Sequence, residues 1–592
     1  MAKWMMAAKK ADFDKIAQEF GISPVLARIM RNRDLQTREE IQKFLNGTLS
    51  DLYEPSDMKG MTQGCKLLQK KIHEGAFIRI IGDYDVDGIC ATYTLLRGLR
   101  ELGAKVDTVI PHRMKDGYGL NDHLIEQAKE DKVDTIVTCD NGIAASSQIA
   151  MAKAYGITVI VTDHHEVPYE DNGEKRTYLL PPAEVVIDPK QEDCTYPYKQ
   201  ICGAVVAYKM IQELFLMDTS HSQEEKNGIL QELLAFAALA TICDVMELKD
   251  ENRILVKAGL REMEHTSNLG LKALLMVNGL EKKPLSPYHA GFVIGPCLNA
   301  TGRLDTAARA LELFDASEWK DAVNLATDLK SLNESRKQMT EEGVKAAMEQ
   351  VDTLWQKDDV LVVYLPDCHE SLAGIIAGKV KERYHKPTLV LTKGEEGIKG
   401  SGRSIEAYSM YEELNRCKEL FAKFGGHKMA AGLTLAGNYV EELRRMLNEH
   451  SALKEEDFQE VIHIDVPMPL SYANKAFLKE MEQLEPFGVG NPRPLFARKE
   501  LSILSGSKLG KSGRFRKFQI AEGQESAYPV VYFGDGEELD AYLINRYGKE
   551  LFERIYHGRL ERGMVRISMV YYPDWNFYQG RESVQLIMQD YC

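Results

Sequence analysis

The chain is 592 residues long, enough for about four domains of ordinary size. Its 44% hydrophobic and 28% charged residues are those of a globular protein in water. With 74 basic against 89 acidic side chains the net charge is −15, which excludes a basic nucleic-acid coat protein but leaves room for a local basic groove or a cation site. The longest near-continuous apolar run, Leu233–Cys243, is far short of the roughly 20 residues a bilayer span needs, so no membrane association is expected. The first residues contain no long apolar stretch of the secretory kind. Ten cysteines include no Cys-x-x-Cys pair, which argues against a zinc ribbon or a disulfide scaffold and for a cytoplasmic protein.

In chain order, residues 1–55 read as a helical segment: Asp12–Phe20, Pro24–Arg33 and Thr37–Leu45, with Thr37 and Glu40 spaced as a capping box. From Phe77 the pattern changes. Short apolar runs (Phe77–Ile81, Val106–Ile110, Thr135–Thr138, Thr158–Val161, Val185–Ile187) alternate with helical stretches (Cys90–Leu102, Leu120–Lys129, Ala144–Ala154), which predicts a doubly wound parallel sheet. Residues 56–313 are taken as this α/β domain. A long polar helix over 314–356 reads as a connector. Residues 357–455 read as a second, smaller α/β domain, with runs at Val360–Leu365, Thr388–Leu391 and Gly425–Leu433. Residues 456–592 are strand-rich with few long helices (Val461–Val466, Arg516–Ile520, Tyr528–Phe533, Val565–Tyr571), which predicts a small β-barrel.

Four of the predicted strands end in polar, ligand-type residues. They are Gly82-Asp83-Tyr84-Asp85-Val86-Asp87-Gly88, His112-Arg113, Asp140-Asn141-Gly142 and Asp163-His164-His165. In an open α/β sheet these lie at the carboxyl edge, where ligands bind. In an extended segment Asp83, Asp85 and Asp87 would point the same way. Carboxylates gathered like this are tolerable at neutral pH only if some are protonated or cations lie between them. Carboxylates with imidazole suit Mn²⁺ or Mg²⁺ better than a thiolate-seeking metal. An EF-hand is disfavoured, because position 12 of that loop would be Thr94 where Glu is needed. Any one Asp at a strand end is as readily a helix cap; it is the convergence that argues for a site. No nucleophile elbow is present, and Gly506–Ser512 is one residue short of a P-loop.

At these residues the sequence resembles the DHH phosphoesterase superfamily. Asp85-x-Asp87, Asp140, Asp163-His164-His165 and Asp244 resemble its four motifs. The strings Gly82–Gly88, Gly425-Gly426-His427 with Ala430-Ala431-Gly432, and Leu484–Phe496 narrow the likeness to the superfamily's single-strand-specific 5′-exonucleases, over nearly the whole chain. The resemblance implies two Mn²⁺ or Mg²⁺ ions held by Asp85, Asp87, Asp140, His164 and Asp244, with Asp140 and Asp244 shared and Asp83 a further candidate. DHH pyrophosphatases carry a His where this chain has Ile81, so the first metal would use another ligand, such as Asp83, or water. Asp244 is promoted by the resemblance alone, since it stands at the end of an apolar helix. His165 is implied at the phosphate rather than on a metal.

The same likeness implies substrate-binding roles for Arg113, Arg303, Ser401, Arg403 and His427, of which the arginines suit phosphate by their planar, permanently charged fork. It also implies an oligonucleotide-binding fold at the C-terminus. There Arg498, Lys499, Lys508, Lys511, Arg514, Arg516 and Lys517 stand against the single acid Glu500, with Phe515 and Phe518 among them. Charge for phosphates and rings for bases is what a single-strand track requires, although a solvated hairpin has the same composition. The expected activity is metal-dependent 5′→3′ hydrolysis of single-stranded DNA to mononucleotides by a monomer, in repair and recombination, with a helicase and a single-strand-binding protein as partners. Two rivals remain. A DHH enzyme for short oligoribonucleotides or cyclic dinucleotides would lack the C-terminal domain, and an inactive DNA-binding scaffold would lack the intact ligand set.

Overall fold

A computed structural model describes residues 2–112, 119–171, 176–394, 397–510, 512–558, 560–578 and 580–592. The chain divides into two units, Thr48–Phe458 and Met1–Gly47 with Gln459–Cys592.

The larger unit begins with a five-stranded parallel sheet in the order Lys105–Val109, Phe77–Ile81, Thr135–Cys139, Thr158–Thr162, Val185–Ile187. Ile78, Ile80, Val137 and Ile160 join one hydrophobic cluster, while Ile81, Ile136, Val159 and Val161 join another. Both faces are therefore buried, which is why these strands are continuously apolar rather than alternating. The strand order reverses beside Phe77–Ile81, so the crevice between its end and that of Thr135–Cys139 is the topological switch point. Helix Val86–Glu101 begins four residues earlier than the sequence pattern suggested.

Helix Trp319–Gln350 is a connector with two buried ends. Ala322, Ala326 and Leu329 pack into the first core, whereas Ala347 belongs to the core of the following domain. That domain carries a second five-stranded sheet, ordered Phe421–His427, Ala430–Leu435, Gly397–Arg403, Thr388–Gly394, Leu361–Tyr364. The run read as one strand, Gly425–Leu433, is instead a hairpin turning between His427 and Ala430. Gly426 has φ +150, and a Cβ there would come within 2.4 Å of the Ala430 carbonyl oxygen.

In the smaller unit six strands are ordered Val466–Pro467, Phe496–Leu509, Phe515–Ala521, Tyr528–Tyr532, Arg581–Tyr591, Arg566–Tyr578, and the second also pairs with the last, closing a barrel. The N-terminal segment is not helical throughout. Lys3–Met6 is a strand paired in parallel with Val461–Ile464, too short to show a period and completed by a distant partner. The three helices that follow, with the Thr37–Glu40 capping box formed, bury Leu26, Ile29, Met30 and Ile41 in the barrel's own core beside Met468, Phe496 and Tyr571. A long helical stretch, Gly536–His557, kinked at Gly548, also covers this core where few long helices were expected. Among the described residues no helix is long and apolar enough to cross a membrane.

Candidate active site

The switch point is filled by the segment leaving Phe77–Ile81. Asp85 caps the next helix, its Oδ1 accepting from the backbone N–H of Asp87 (2.9 Å) and Gly88 (3.1 Å). The expected extended run of three aligned aspartates is thus corrected: the helix starts at Val86, inside the motif, and turns Asp87 away from Asp83 and Asp85. Gly88 permits this, because a Cβ there would lie 2.4 Å from the Asp83 carbonyl oxygen. Asp87 is almost wholly buried and accepts from Gly203 N–H and Ala204 N–H, both at 2.7 Å, at the start of helix Gly203–Met217.

Asp140 follows the next strand with φ +60, a left-handed backbone that aspartate tolerates better than most residues. Asn141 ties the two central strand ends together by donating to the carbonyls of Ile81 (3.0 Å) and Cys139 (2.9 Å). Asp163 ends the fourth strand of the sheet order. It accepts from the N–H groups of Ile143 (2.9 Å), His164 (2.7 Å) and His165 (3.2 Å) and bonds the His165 ring at Nδ1 (2.7 Å). Asp244 caps the C-terminus of helix Gln223–Cys243.

These side chains meet. Asp83, Asp85 and Asp140 bring one carboxylate oxygen each within 4.8 Å of one another; Asp87, His164 and Asp244 do the same, as do Asp140, His164 and His165. His164 Nε2 lies 3.0 Å from Asp140 Oδ1, 3.5 Å from Asp87 Oδ2 and 3.7 Å from Asp244 Oδ2, yet makes no well-formed hydrogen bond. Burial holds His164 below its ordinary pKa, so its imidazole is neutral at pH 7 and offers a lone pair. Burial, then the charges of Asp87 and Asp85, push Asp140 well above the usual carboxylate range. The same causes bring Asp244 to about 8, and burial with Asp87 raises Asp85 against its backbone hydrogen bonds. Such a group remains short of positive charge even with His165 and Lys190 nearby, and an oxygen-rich set with one neutral imidazole fits a hard divalent cation. Burial works on Asp163 too but is overcome by its hydrogen bonds, chiefly from His165, and it stays below the ordinary range. In His165 burial is overcome by Asp163 in turn, which raises the ring to about 9 and keeps it a cation.

On the facing side of the same unit, Arg303 Nη1 donates to the Ser371 carbonyl at 2.5 Å. Ser401 and Arg403 share strand Gly397–Arg403, and Arg403 Nη1 donates to Ser401 Oγ (3.2 Å) and the Gly402 carbonyl (2.8 Å). Burial lowers the Arg403 pKa. Gly374, at the start of helix Ala373–Tyr384, leaves these groups room, because a Cβ there would approach Arg403 Nη2 to 2.8 Å and Ser401 Oγ to 2.9 Å. A cavity of about 400 Å³ adjoins them, lined by Tyr84 from the aspartate segment and by Ser371, Lys399, Ser401 and Lys423. His427 is exposed at the end of its strand and accepts from Met429 N–H at 3.3 Å. Arg113 lies outside the described residues.

Three family models match the chain: the DHH family N-terminal domain over residues 77–241, the DHHA1 domain over 357–453 and the RecJ OB domain over 464–590. The single-stranded-DNA-specific exonuclease RecJ of Bacillus subtilis is 33% identical across all of this chain and 71% of its own length. The chain belongs to the RecJ family. RecJ of Escherichia coli is 31% identical over 96% of both chains. The crystal structure of Thermus thermophilus RecJ in complex with Mn²⁺ matches with a TM-score of 0.79 and 25% identity, over all of this chain and 79% of that one.

In the RecJ OB domain, several residues expected to contact nucleic acid are placed otherwise. Arg516 is 1% exposed and donates to both carboxylate oxygens of Asp540 (3.0 and 2.7 Å), and Phe518 is equally buried. Both point into the barrel because inward positions recur every second residue along Phe515–Ala521. Lys508 and Arg514 are exposed, Lys517 and Phe515 half-buried, and Lys511 lies outside the described residues. The sequence reading missed Asp188, fully buried at the end of strand Val185–Ile187 and raised by burial, then by Asp163, to about 8. Its place at a fifth strand end was the available signal. Also missed was Arg493, whose guanidinium lies 5.0 Å from the Phe487 ring and 4.9 Å from that of Tyr572.

Proposed function

We propose that this chain is a single-stranded-DNA-specific exonuclease that works 5′→3′ and releases 5′-mononucleotides by two-metal phosphodiester hydrolysis, in DNA repair and recombination. The observation that carries this reading is the pair of ligand triads at the switch point, Asp83/Asp85/Asp140 and Asp87/His164/Asp244, with His164 Nε2 3.0 Å from Asp140. The first triad would hold one Mn²⁺ or Mg²⁺ and the second another, with Asp140 shared. Bound there, such a pair of ions supplies an activated water and charge stabilisation at a scissile phosphate.

The chain's own residues do the rest. Asp163 fixes the His164 and His165 backbone and keeps His165 protonated, so that His165 donates to phosphate rather than binding metal. Arg303, Ser401 and Arg403 hold the terminal 5′-phosphate in the cleft facing the metals, His427 adds a donor, and Arg113 is assigned the same role. Exposed Lys508 and Arg514, with Lys517, track the strand on the OB domain. Residues 56–313 act as the catalytic domain, 314–356 as the connecting helix, 357–455 as the DHH-associated domain and 456–592 as the oligonucleotide-binding domain, which residues 1–47 of the N-terminal segment 1–55 join. We place the enzyme in the cytoplasm as a monomer, supplied with single strands by a helicase and a single-strand-binding protein. An inactive scaffold of the same fold would have no reason to keep mutually repelling carboxylates.

Digestion of 5′-labelled and 3′-labelled single strands with Mn²⁺ tests the reading. It stands if the 5′ label leaves first as a mononucleotide, and falls if the 3′ label does or if duplex is degraded equally well.

A further inference from the structure

The pairing register of the second sheet lays three rows of residues across one face. Arg403 stands opposite Ala430, and Ala430 opposite His427. Ser401 stands opposite Gly432, and Gly432 opposite Gly425. Lys399 stands opposite Thr434, and Thr434 opposite Lys423. Successive rows are two residues apart along each strand, roughly 6.6 Å. Arg403, His427 and Ser401 are the groups assigned above to the terminal 5′-phosphate. The row of Lys399 and Lys423 lies one step beyond them and has no part in that assignment.

The middle row is a floor without side chains. A Cβ on Gly425 would meet nothing within 4 Å, and one on Gly432 only the Gly400 carbonyl oxygen at 4.0 Å. Neither glycine serves a turn or a left-handed backbone, since both lie in regular strand pairing. Their bareness keeps the face open, and the cavity of about 400 Å³ occupies that space, reaching from Ser401 to Lys399, Lys423 and Thr434. At the far end Lys399 Nζ lies 3.1 Å and 3.3 Å from the two carboxylate oxygens of Glu370. That pair is neutral, but an ammonium has three donors and keeps one for another acceptor. Lys423 is exposed and, among the described residues, makes no ion pair, so the trough ends in net positive charge.

We propose that this trough receives the β- and γ-phosphates of a 5′-triphosphorylated strand, with the α-phosphate at Arg403 and Ser401. The inference rests on the exonuclease reading above. One row beyond Ser401 is about the reach of two further phosphoryl groups, and lysines bind phosphate as point charges without demanding a fixed geometry. The bond that is cut stays the same. Water adds to the phosphorus joining the first and second nucleotides, the bond from that phosphorus to O3′ of the first breaks, and O3′ takes a proton. The phosphoanhydride bonds remain whole, so the first product is a nucleoside triphosphate, and every later one a monophosphate.

The test uses three oligothymidylates that differ only in a 5′-triphosphate, 5′-monophosphate or 5′-hydroxyl end, with products separated by anion-exchange chromatography. Wild type should cleave the triphosphorylated strand and release thymidine triphosphate from it. Lys423→Ala should lower kcat/KM for that strand about tenfold or more, the scale of one charge-assisted hydrogen bond, and leave the other two within about twofold. Lys423→Arg should restore most of the loss. Lys399→Met with Glu370→Gln, which removes the pair without stranding a charge, should deepen it. The proposal is overturned if wild type spares the triphosphorylated strand, if pyrophosphate and the monophosphate leave instead, or if Lys423→Ala slows all three strands equally. A wild type that leaves the monophosphorylated strand whole overturns the exonuclease reading instead.

Discussion

Arg516→Ala should loosen the barrel unit while leaving the salt dependence of DNA binding unchanged. The guanidinium donates to both oxygens of Asp540 and to the carbonyls of Gly513 (2.6 Å) and Phe515 (3.0 Å), and Tyr556 donates to the same carboxylate (2.7 Å). Removing it strands a carboxylate whose side chain is only 12% exposed. Loss of one partner from a buried ion pair costs about 3–5 kcal/mol. With a urea slope of about 2 kcal/mol per molar, the unfolding midpoint of this unit should fall by roughly 2 M. Trp4 and Trp575 belong to the unit and report the transition by fluorescence. Arg516→Met with Asp540→Leu should recover most of the loss, because no buried charge is then left alone. In the DNA measurement, neutralising Lys508, Arg514 and Lys517 should flatten the log–log salt slope by about 0.7 each on single strands, and Arg516→Ala by nothing. A stable Arg516→Ala protein with a flattened slope would refute the assignment and return Arg516 to the binding surface.

Other outcomes follow from the metal site and the arginine wall. Asp140→Ala should abolish turnover with circular dichroism unchanged, whereas activity within about tenfold of wild type under saturating Mn²⁺ would remove Asp140 from the ligand set. Asp244 has a folded pKa of about 8 against about 3.9 unfolded, so the folded state holds an extra proton between these values, and metal-free stability falls as pH rises through that window. Asp244→Asn should therefore raise the metal-free Tm more near pH 8 than near pH 4 and shrink the Mn²⁺-induced rise; differential scanning fluorimetry reads both, and a lower metal-free Tm near pH 8 would contradict the charge argument. Arg303→Ala should slow 5′-phosphorylated substrate about tenfold to a hundredfold more than 5′-hydroxyl substrate, as expected of a charge-assisted contact worth about 1.5–3 kcal/mol. Equal slowing of both would move Arg303 to the scissile phosphate or to the Ser371 contact that braces the domains.

The parallel sheet and its ligand-bearing edge were legible because buried strands are continuously apolar and the polar residues begin where each strand stops. The arrangement within that edge was not. Whether Asp83, Asp85 and Asp87 align depends on where the helix starts, and this is decided by Asp85 capping its own downstream N–H groups and by the lack of a side chain at Gly88. Asp244 carries no local signal, since an aspartate closing an apolar helix looks like any other helix end; only its approach to Asp87 and His164 gives it meaning. The burial of Arg516 has a local signal. It shares period-two parity with Phe518 and Ile520, so a strand that buries those two also buries it.

The burial of charge divides the aspartates at this centre by role. Asp163 is as buried as Asp140, but its oxygens receive three backbone N–H groups and a histidine ring, and it remains an anion below the ordinary range. Asp140 and Asp244 face other carboxylates instead and are driven upward. A buried carboxylate satisfied by the protein's own donors is a brace, whereas one pushed toward protonation by its neighbours is an acceptor awaiting positive charge. By that criterion the first residue of Asp163-His164-His165 positions the two that follow. The strongest demand for cations comes from Asp85, Asp140 and Asp244, each driven upward by burial and by its neighbours; Asp85 and Asp140 share one triad at the switch point, and Asp244 joins the other from the end of helix Gln223–Cys243.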